Sequence, residues 1–335
     1  MTTAIAVLGA GSWGTALAAH LARCKHLVTL WGRSPDAIEE IRNRGCNQRY
    51  LPDARLPENL SFSSDLDATV ATAQVVVVAV PSSHFESLID AIKPQLTARS
   101  GEHVTLVWAC KGFSGTRLLH EVVYARLNDF CVPAVISGPN FAAELVRGMP
   151  TATTVASSSL PLAQRTSALF HNEYFRAYAS DDMVGVQLAG ALKNIYAIAT
   201  GVSDGLGFGA NARSALITRG MAEMRRLAIP MGGSVETLAG LAGMGDLVLT
   251  CTDDQSRNRR FGLALGQGYS FEVAMDSVGQ VVEGAKAVQS ALQLAESHNI
   301  ELPIAAQVAA VLYQGKTASD AVELLLSRAP ANETF

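Results

Sequence analysis

Short apolar runs rich in β-branched residues alternate with helical stretches through the first half of the 335-residue chain. Runs of about four to eight such residues are typical of buried strands. They occur at residues 4–8, 28–31, 75–80, 104–108, 134–137, 151–156 and 174–178. Strands that alternate with helices predict a parallel sheet covered by helices on both faces.

The pattern changes at about Asp181. Beyond it, Ala, Leu and Met recur at helical spacing, Gly-containing turns separate the segments, and few strand signals follow. This pattern predicts an all-α region. The length of the chain also suggests two domains. We therefore predict an α/β domain over residues 1–181 and an α-helical domain over residues 182–335.

Composition excludes several classes of protein. A formal net charge of -4 offers no general attraction to nucleic acid or to anionic lipid. The five cysteines are scattered and form no CxxC or Cys/His cluster, so we predict no disulfide framework and no metal site. A reducing cytoplasm fits this composition. The apolar N-terminus lacks a basic leader, and no segment is predicted to span a membrane.

A glycine-rich turn follows the first predicted strand. Gly9, Gly11 and Gly14 stand between that strand and the helix-forming run at 15–23, with a second strand behind it. In a Rossmann-type fold the first glycine permits the tight turn, the second lets the backbone approach a pyrophosphate, and the third allows close helix packing. The N-terminus of the helix then faces the anion. We predict a dinucleotide site here, with three ligand-free turn glycines as the alternative.

The end of the second predicted strand bears on the choice of dinucleotide. NAD-selective sites usually place an acidic residue there to hold the ribose 2′-hydroxyl, whereas this chain has Gly32 and Arg33. Because Arg33 can meet a 2′-phosphate, NADP(H) is favoured and NAD(H) stays open. An exposed surface arginine is the alternative interpretation.

Lys193 is the only charged residue between Met183 and Ser203, in an otherwise apolar helical segment. A lone buried ammonium is costly, so the lysine is expected to face a cavity where it exchanges a proton with a substrate. A surface lysine whose amine reaches solvent is the alternative. The positions one turn away offer it no partner: Ala189, Gly190, Tyr196 and Ala197.

Other candidate site residues lie just after predicted strands or at the start of predicted helices. Lys111 follows a predicted strand, so it could contact a substrate or lie in a solvent-facing turn, and both interpretations stay open. Asp246 could orient a lysine or cap a helix. Ser256 resembles a helix cap, and Arg257 and Asn258 in the turn after it would suit a phosphate. A charged, solvated helix face is the alternative for that turn.

These motifs together resemble the bacterial-type NAD(P)-dependent glycerol-3-phosphate dehydrogenases over essentially the whole chain. The resemblance implies a Rossmann-type dinucleotide-binding domain and an all-α C-terminal domain. The motifs that carry it are GAGSWG at 9–14, KG at 111–112, SGP at 137–139, ALKN at 191–194, GDL at 245–247, SRN at 256–258 and VVEG at 281–284.

The resemblance also implies residue roles. Lys193 would be the catalytic acid/base and would contact substrate. The other implied substrate contacts are Lys111, Gly138, Asp246, Ser256, Arg257 and Asn258. The implied dinucleotide contacts are Ser12, Trp13, Arg33, Lys111, Ala142, Arg257, Val281 and Glu283. Family members often carry Ser or Thr at the position of Asn140, which stays a candidate substrate contact.

The implied activity is reversible hydride transfer between NAD(P)H and dihydroxyacetone phosphate, giving sn-glycerol 3-phosphate for glycerophospholipid synthesis. A two-domain dehydrogenase for 6-phosphogluconate or a β-hydroxyacid is an alternative, because these enzymes also use a lysine on a helix. A dinucleotide-binding redox sensor without catalysis is an alternative of another class. The apolar helical half could form a homodimer face, which stays open.

Overall fold

The computed structural model describes residues 2–99, 103–127 and 130–327 and divides into two compact units. The first unit consists of the described residues of Met1–Cys110 and Leu119–Met183. The second consists of those of Lys111–Leu118 and Val184–Phe335. The domain boundary predicted after residue 181 stays a prediction. The compact units separate after Met183, and the segment that begins at Lys111 packs with the helical unit through Phe113 and Leu118.

The first unit is built on one sheet of eight strands among the described residues, in the order β3-β2-β1-β4-β5-β6-β7-β8. All neighbouring strands are parallel except the antiparallel pair β6 and β7. The predicted Rossmann-type sheet is therefore confirmed. The strands are β1 Ala4–Leu8, β2 Leu27–Trp31, β3 Leu60–Ser63, β4 Val75–Val78, β5 Val104–Trp108, β6 Cys131–Ser137, β7 Thr151–Ser157 and β8 Phe175–Ser180.

The sheet differs from the sequence prediction at two places. Strand β3 was not predicted, because only Leu60 of its four residues is buried and it carries no apolar run. The sheet is parallel, as predicted, except that β7 runs antiparallel to β6. The connection between these strands holds only a five-residue helix, whereas a parallel return needs a longer crossover.

Helices follow most strands of the first unit. Because these helices cover the sheet, the central residues of its strands are apolar. Every residue of Val75–Val78 is buried, as expected for a strand covered on both faces. The helices are α1 Ser12–Arg23, α2 Pro35–Arg44, α3 Leu66–Ala71, α4 Phe85–Thr97, α5 Leu119–Leu127, α6 Ala142–Val146 and α7 Leu160–Phe170.

From Val184 onward the described residues of the second unit form helices joined by loops, with no strand, as predicted. Its other segment, Lys111–Leu118, is not helical. Helix α8 is its core helix, since Ala189, Ala191 and Ala197, on different sides of the helix, are fully buried. No helix in the described part of the chain is long and apolar enough to cross a membrane. The helices are α8 Met183–Gly205, α9 Ala210–Ala228, α10 Val235–Ala239, α11 Asp246–Thr252, α12 Arg257–Gly266, α13 Phe271–Val278, α14 Glu283–Ser297, α15 Pro303–Tyr313 and α16 Ala318–Leu326.

Helices α8 and α12 pack with their backbones in contact. A Cβ atom on Gly201 of α8 would lie 2.1 Å from the carbonyl oxygen of Arg259. A Cβ atom on Gly262 of α12 would lie 2.1 Å from the carbonyl oxygen of Ile198. Real side chains do not fit at such distances, so glycine is required at both positions. This contact holds the start of α12 against α8.

A buried histidine lies in the core of the first unit. His20 of α1 is fully buried, and its Nε2 is 2.6 Å from the carbonyl oxygen of Phe170. Its ring lies 4.4 Å from that of Phe175. Burial lowers the pKa of His20 to about 4, although its contact with the Phe170 carbonyl opposes the shift. The folded unit therefore keeps this imidazole neutral at neutral pH.

We predict that acidification destabilises the first unit through His20. Because its folded pKa lies below the unfolded value, the stability is present above about pH 6.5 and is lost as pH falls toward about 4. The loss reaches about 3 kcal/mol. Urea unfolding should be followed by tryptophan fluorescence at several pH values, since Trp13, Trp31 and Trp108 all lie in this unit.

The variant His20→Gln should lose this part of the pH dependence, whatever its absolute stability. The exposed histidine His171 provides the matched control, and His171→Gln should keep the wild-type dependence. Equal pH dependence in the wild type and in His20→Gln would contradict the assignment.

Candidate functional site

The predicted glycine turn has the geometry that an anion site needs. Gly9 has a φ of +123°, and a Cβ there would lie 2.7 Å from the Ala79 carbonyl oxygen. A Cβ on Gly14 would lie 1.9 Å from the Gly9 carbonyl oxygen, so both positions require glycine. A Cβ on Gly11 would meet nothing within 4 Å. This open face fits a pyrophosphate, and α1 begins there at Ser12 without a side-chain cap.

Asn47 braces the glycine turn and was not predicted from the sequence. It is 2% exposed, and its Nδ2 donates to the Ala10 carbonyl oxygen at 3.0 Å and to Thr15 Oγ1 at 2.8 Å. Its amide thereby ties the turn to the first residues of α1. No local pattern marks this asparagine, because its partners are more than thirty residues away in the chain.

Arg33 lies at the end of β2, next to the glycine turn. A Cβ on Gly32 would lie 3.0 Å from Cβ of Ala10, so this strand end and the turn are in contact. Arg33 itself is exposed. No acidic residue stands at this strand end, and the following Ser34 caps α2 by accepting from the Ala37 amide. The geometry places Arg33 beside the turn, and its contact with a dinucleotide stays a prediction.

Gly138 and Asn140 lie where β6 ends, against β7. A Cβ on Gly138 would lie 2.8 Å from Cα of Thr153. The Nδ2 of Asn140 donates to Thr151 Oγ1 at 2.6 Å and to the Ala152 carbonyl oxygen at 2.8 Å. Its Oδ1 is buried and has no partner within the described residues. The substrate role of Asn140 stays a prediction.

Ala142, another predicted dinucleotide contact, is the first residue of α6. Helix α6 packs against α1, the helix that follows the glycine turn. Trp13 and Ala142 are both half-buried against the core of the first unit. The structure therefore holds these two predicted dinucleotide contacts within one group of elements.

A single carboxylate joins two lysines in the second unit. Asp246, at the start of α11, is 1% exposed. Its Oδ1 lies 2.5 Å from Lys193 Nζ, and its Oδ2 lies 2.5 Å from Lys111 Nζ. Three residues predicted from separate parts of the sequence thus form one cluster. The helix-cap alternative for Asp246 was wrong, because Gly245 is the cap residue and the carboxylate binds ammonium groups instead.

Lys193 is buried, as its apolar segment indicated. Its side chain is 9% exposed, so the alternative of a lysine that reaches solvent was wrong. Burial lowers the pKa of Lys193 to about 7; the Asp246 charge opposes this shift, and the Lys111 charge adds to it. A lysine with this pKa holds and releases a proton near neutral pH.

Thr250 is a member of this cluster that the sequence did not reveal. Lys193 Nζ donates to Thr250 Oγ1 at 2.7 Å, and this hydroxyl donates to the Asp246 backbone carbonyl at 2.6 Å. The side chain lies one helical turn after Asp246 on α11 and is buried. The threonine therefore orients the amine. In the sequence, the available signal was its position four residues after Asp246, which puts the two side chains on one face of a helix.

Two asparagines connect the lysine helix to the predicted phosphate turn. Asn258 Nδ2 donates to Asn194 Oδ1 at 2.9 Å, and Asn258 Oδ1 accepts from the Gly284 amide at 2.9 Å. A Cβ on Gly284 would lie 2.5 Å from the Asn194 carbonyl oxygen. Helix α14 begins beside this contact at Glu283, with the half-buried Val281 just before it.

The arginines of the phosphate turn have different partners. Ser256 caps α12 by accepting from the Arg259 amide, as predicted. Arg257 is half-buried, and its Nη1 donates to Gln280 Oε1 at 3.1 Å. Arg259 is buried in an ion pair with Asp204 at 2.8 Å. Among Arg257, Arg259 and Arg260, only Arg260 is exposed. The alternative of a charged, solvated helix face therefore holds for Arg260 alone.

Together these features define a class of protein. A Rossmann-type unit with an open glycine turn fits a dinucleotide, and a helical unit holds a buried lysine beside a turn suited to phosphate. No group of His, Cys, Asp or Glu among the described residues could hold a metal ion. The class is that of the dinucleotide-dependent dehydrogenases with a helical second domain.

The family is shown by sequence. Residues 4–163 match the family model of the NAD-dependent glycerol-3-phosphate dehydrogenase N-terminus, and residues 182–323 match that of its C-terminus. The chain therefore belongs to the NAD-dependent glycerol-3-phosphate dehydrogenase family, which confirms the resemblance.

Curated relatives and solved structures agree with the family. A glycerol-3-phosphate dehydrogenase [NAD(P)+] of Thioalkalivibrio sulfidiphilus is 52% identical over 97% of each chain, and one of Halorhodospira halophila is 50% identical over 99% of each. The crystal structure of glycerol-3-phosphate dehydrogenase from Coxiella burnetii is 46% identical, with a TM-score of 0.93, over 98% of this chain and 99% of that one. These proteins span nearly the same length as this chain.

Proposed function

We propose that this chain catalyses reversible hydride transfer between NAD(P)H and dihydroxyacetone phosphate, giving sn-glycerol 3-phosphate, with Lys193 as general acid and base. The observation that carries the proposal is the buried ion pair of Lys193 and Asp246, in which the lysine has a pKa of about 7. The substrate follows from the names of relatives about 50% identical. The chain is an oxidoreductase of this family.

The proton is handled by Lys193. The bound dinucleotide supplies or accepts the hydride at the substrate's C2 carbon. In reduction, protonated Lys193 gives a proton to the developing alkoxide oxygen, and in oxidation neutral Lys193 removes the proton from the hydroxyl. Asp246 and Thr250 hold the amine in one orientation. Lys111 shares Asp246 and is the second cation that would face the substrate oxygens.

The substrate phosphate would be held at the N-terminus of α12. Ser256 caps the helix there, Arg257 follows it, and Asn258 lies against Asn194, the neighbour of Lys193. Helix N-termini and a guanidinium favour a dianion. This binding would fix the ketone relative to the amine, because α8 and α12, which carry the two groups, pack with their backbones in contact.

The dinucleotide would be held by the glycine turn and by residues predicted from the family motifs. Arg33 favours NADP(H), and NAD(H) is also accepted under this proposal, since the relatives are named for both. The residues proposed to contact the dinucleotide are Gly9, Gly11, Ser12, Trp13, Gly14, Arg33, Lys111, Ala142, Arg257, Val281 and Glu283.

The proposal also covers the use of the product, the cellular compartment and the oligomeric state. The product would supply glycerophospholipid synthesis. A reducing cytoplasm suits the five cysteines, which are free thiols in this structure. The chain would act as a homodimer or as a monomer, with dihydroxyacetone phosphate and sn-glycerol 3-phosphate as its ligands.

Replacement of Lys193 tests the proposed proton transfer directly. Lys193→Ala should lower kcat for reduction of dihydroxyacetone phosphate by roughly 10²-fold or more, because the general acid is lost. Lys193→Arg should be equally impaired, since a guanidinium does not give up its proton. NADPH affinity, measured by fluorescence titration, should stay near the wild-type value. Lys316→Ala is the matched control, and wild-type turnover in Lys193→Ala would disprove the role.

The second prediction concerns pH. Oxidation of sn-glycerol 3-phosphate needs neutral Lys193, so kcat/KM should rise with pH through about 7, whereas the rate of reduction should fall over the same range. Asp246→Asn should move both midpoints to lower pH, because the negative charge that raises the lysine pKa is removed. Unchanged midpoints in this variant would contradict the proposed pairing.

The third prediction concerns the phosphate turn. Arg257→Gln should raise KM for dihydroxyacetone phosphate by about tenfold or more, because a charge-assisted contact is lost. Arg260→Gln, on the same helix but exposed, is the matched control and should keep the wild-type KM. If both variants have the wild-type KM in steady-state assays, Arg257 does not bind the phosphate.

A further inference from the structure

One side chain holds the glycine turn at both of its ends. Helix α1 has no side-chain cap, and its first hydrogen bond runs from the Thr15 amide to the Gly11 carbonyl oxygen at 2.9 Å. The N–H groups of residues 11–14 therefore have no partner inside the helix and are the donors that an anion would meet. Asn47 Nδ2 donates to the Ala10 carbonyl oxygen at 3.0 Å and to Thr15 Oγ1 at 2.8 Å. Its two acceptors thus lie one residue before and one residue after these four donors.

The contact with Ala10 also sets the direction of the first donor. The carbonyl of Ala10 and the N–H of Gly11 belong to one planar peptide unit, and no described peptide bond is cis, so the two groups point in opposite directions. Glycine at position 11 permits many backbone conformations, so the chain itself does not fix this peptide. Because Asn47 holds the Ala10 oxygen, the Gly11 N–H is directed to the side away from Asn47.

The loop that carries Asn47 is fixed by its own contacts. The Leu51 amide donates to the Asn47 carbonyl oxygen at 2.7 Å, and the Leu56 amide donates to the Gly45 carbonyl oxygen at 2.9 Å. Leu51 and Leu56 are both buried in the core of the first unit. Asn47 is only 2% exposed, so its side chain offers almost no surface to a ligand. It can therefore act on a ligand only through the turn that it holds.

We propose that Asn47 is a positioning residue for the dinucleotide: its side-chain amide holds the N–H groups of residues 11–14 in the arrangement that receives the pyrophosphate. Because the loop and the turn are already in place, binding does not have to order the turn. The inference rests on the proposed function, in which the glycine turn contacts the dinucleotide, and adds to it a residue that touches no ligand.

Asn47→Leu tests this role, because leucine has nearly the shape of asparagine but donates no hydrogen bond and adds no charge. Its Kd for NADPH, from fluorescence titration of the full chain, should rise by at least about tenfold, since hydrogen bonds to a charged group are misdirected. Asn59→Leu is the matched control. Asn59 Nδ2 donates to the Ala22 carbonyl oxygen at 2.9 Å, near the opposite end of α1. This variant loses the same kind of bond and should keep the wild-type Kd.

A second ligand separates the aim of the turn from a general loosening of the unit. Adenosine 2′-monophosphate has no pyrophosphate, so it does not need the N–H groups of residues 11–14. In calorimetric titrations Asn47→Leu should bind it as the wild type does, although it binds NADPH more weakly. In steady-state assays the KM for NADPH should rise by a larger factor than kcat falls.

A milder variant keeps the test open if Asn47→Leu does not fold, as judged by circular dichroism. Thr15→Val removes one of the two acceptors of the Asn47 amide and keeps the contact with Ala10. Thr15 is fully buried, so it does not contact a ligand itself. Its replacement should raise the Kd for NADPH by about threefold, because Asn47 is held less firmly.

Gly11→Val distinguishes failure of this inference from failure of the proposed function. Residue 11 has a φ of -82°, and a Cβ there would meet nothing within 4 Å, so valine fits the folded turn and covers its open face. If Gly11→Val loses NADPH binding while Asn47→Leu, or Thr15→Val in its place, keeps the wild-type Kd, the turn binds the dinucleotide and the role of Asn47 is wrong. Equal losses of affinity for NADPH and adenosine 2′-monophosphate in Asn47→Leu would also overturn it. Wild-type NADPH binding by Gly11→Val would instead contradict the proposed dinucleotide site, and this inference with it.

Discussion

One buried carboxylate has to balance two ammonium groups, and the chemistry of the helical unit depends on this imbalance. Asp246 is in contact with Lys193 and Lys111, and its 1% exposure leaves water little part in stabilising the charges. Burial disfavours each ammonium group, and the two lysines repel one another. Burial lowers the pKa of Lys193 to about 7, although the Asp246 charge opposes the shift.

Backbone contacts keep this cluster in one geometry. Lysine side chains have many rotamers, so an amine is positioned only when the helix that carries it and the partners around it are both fixed. Gly201 and Gly262 let α8 and α12 touch, and Gly284 does the same for α14 beside Asn194. Any side chain at these glycines would force the helices apart, because its Cβ atom would lie only 2.1–2.5 Å from a backbone oxygen of the neighbouring helix. The contact from Asn194 to Asn258 therefore depends on glycines with no chemistry of their own.

Local patterns explain what the sequence predicted. The glycine turn lies within six residues between a strand and a helix, so its fold and its ligand are visible together. Lys193 was recognisable because a charge in an apolar helix has no surface to reach. Its partner Asp246 was ambiguous, since an acid after glycine also suits a helix cap. The burial of the Asp246 side chain and the direction in which its carboxylate points decide between the two roles, and both are properties of the folded chain.

Residues whose role depends on distant neighbours were missed. Asn47 and Thr250 are ordinary polar residues in sequence, and only their buried contacts reveal what they do. Strand β3 was missed because one buried leucine is too weak a signal. The turn arginines are also alike in sequence, yet the ion pair to Asp204 takes Arg259 into the core. Tertiary contacts decide which of several identical side chains faces a ligand.

The balance at Lys193 also bears on its proposed role as both acid and base. A pKa of about 7 leaves the lysine partly protonated near neutral pH, so under the proposed mechanism one residue would give a proton in reduction and take one in oxidation. Each pKa unit changes the ratio of these forms by about tenfold. Deeper burial without Asp246 would leave too little acid, and a stronger ion pair would leave too little base. Under the proposed role, the opposition between burial and the Asp246 carboxylate keeps both protonation states of Lys193 populated near neutral pH.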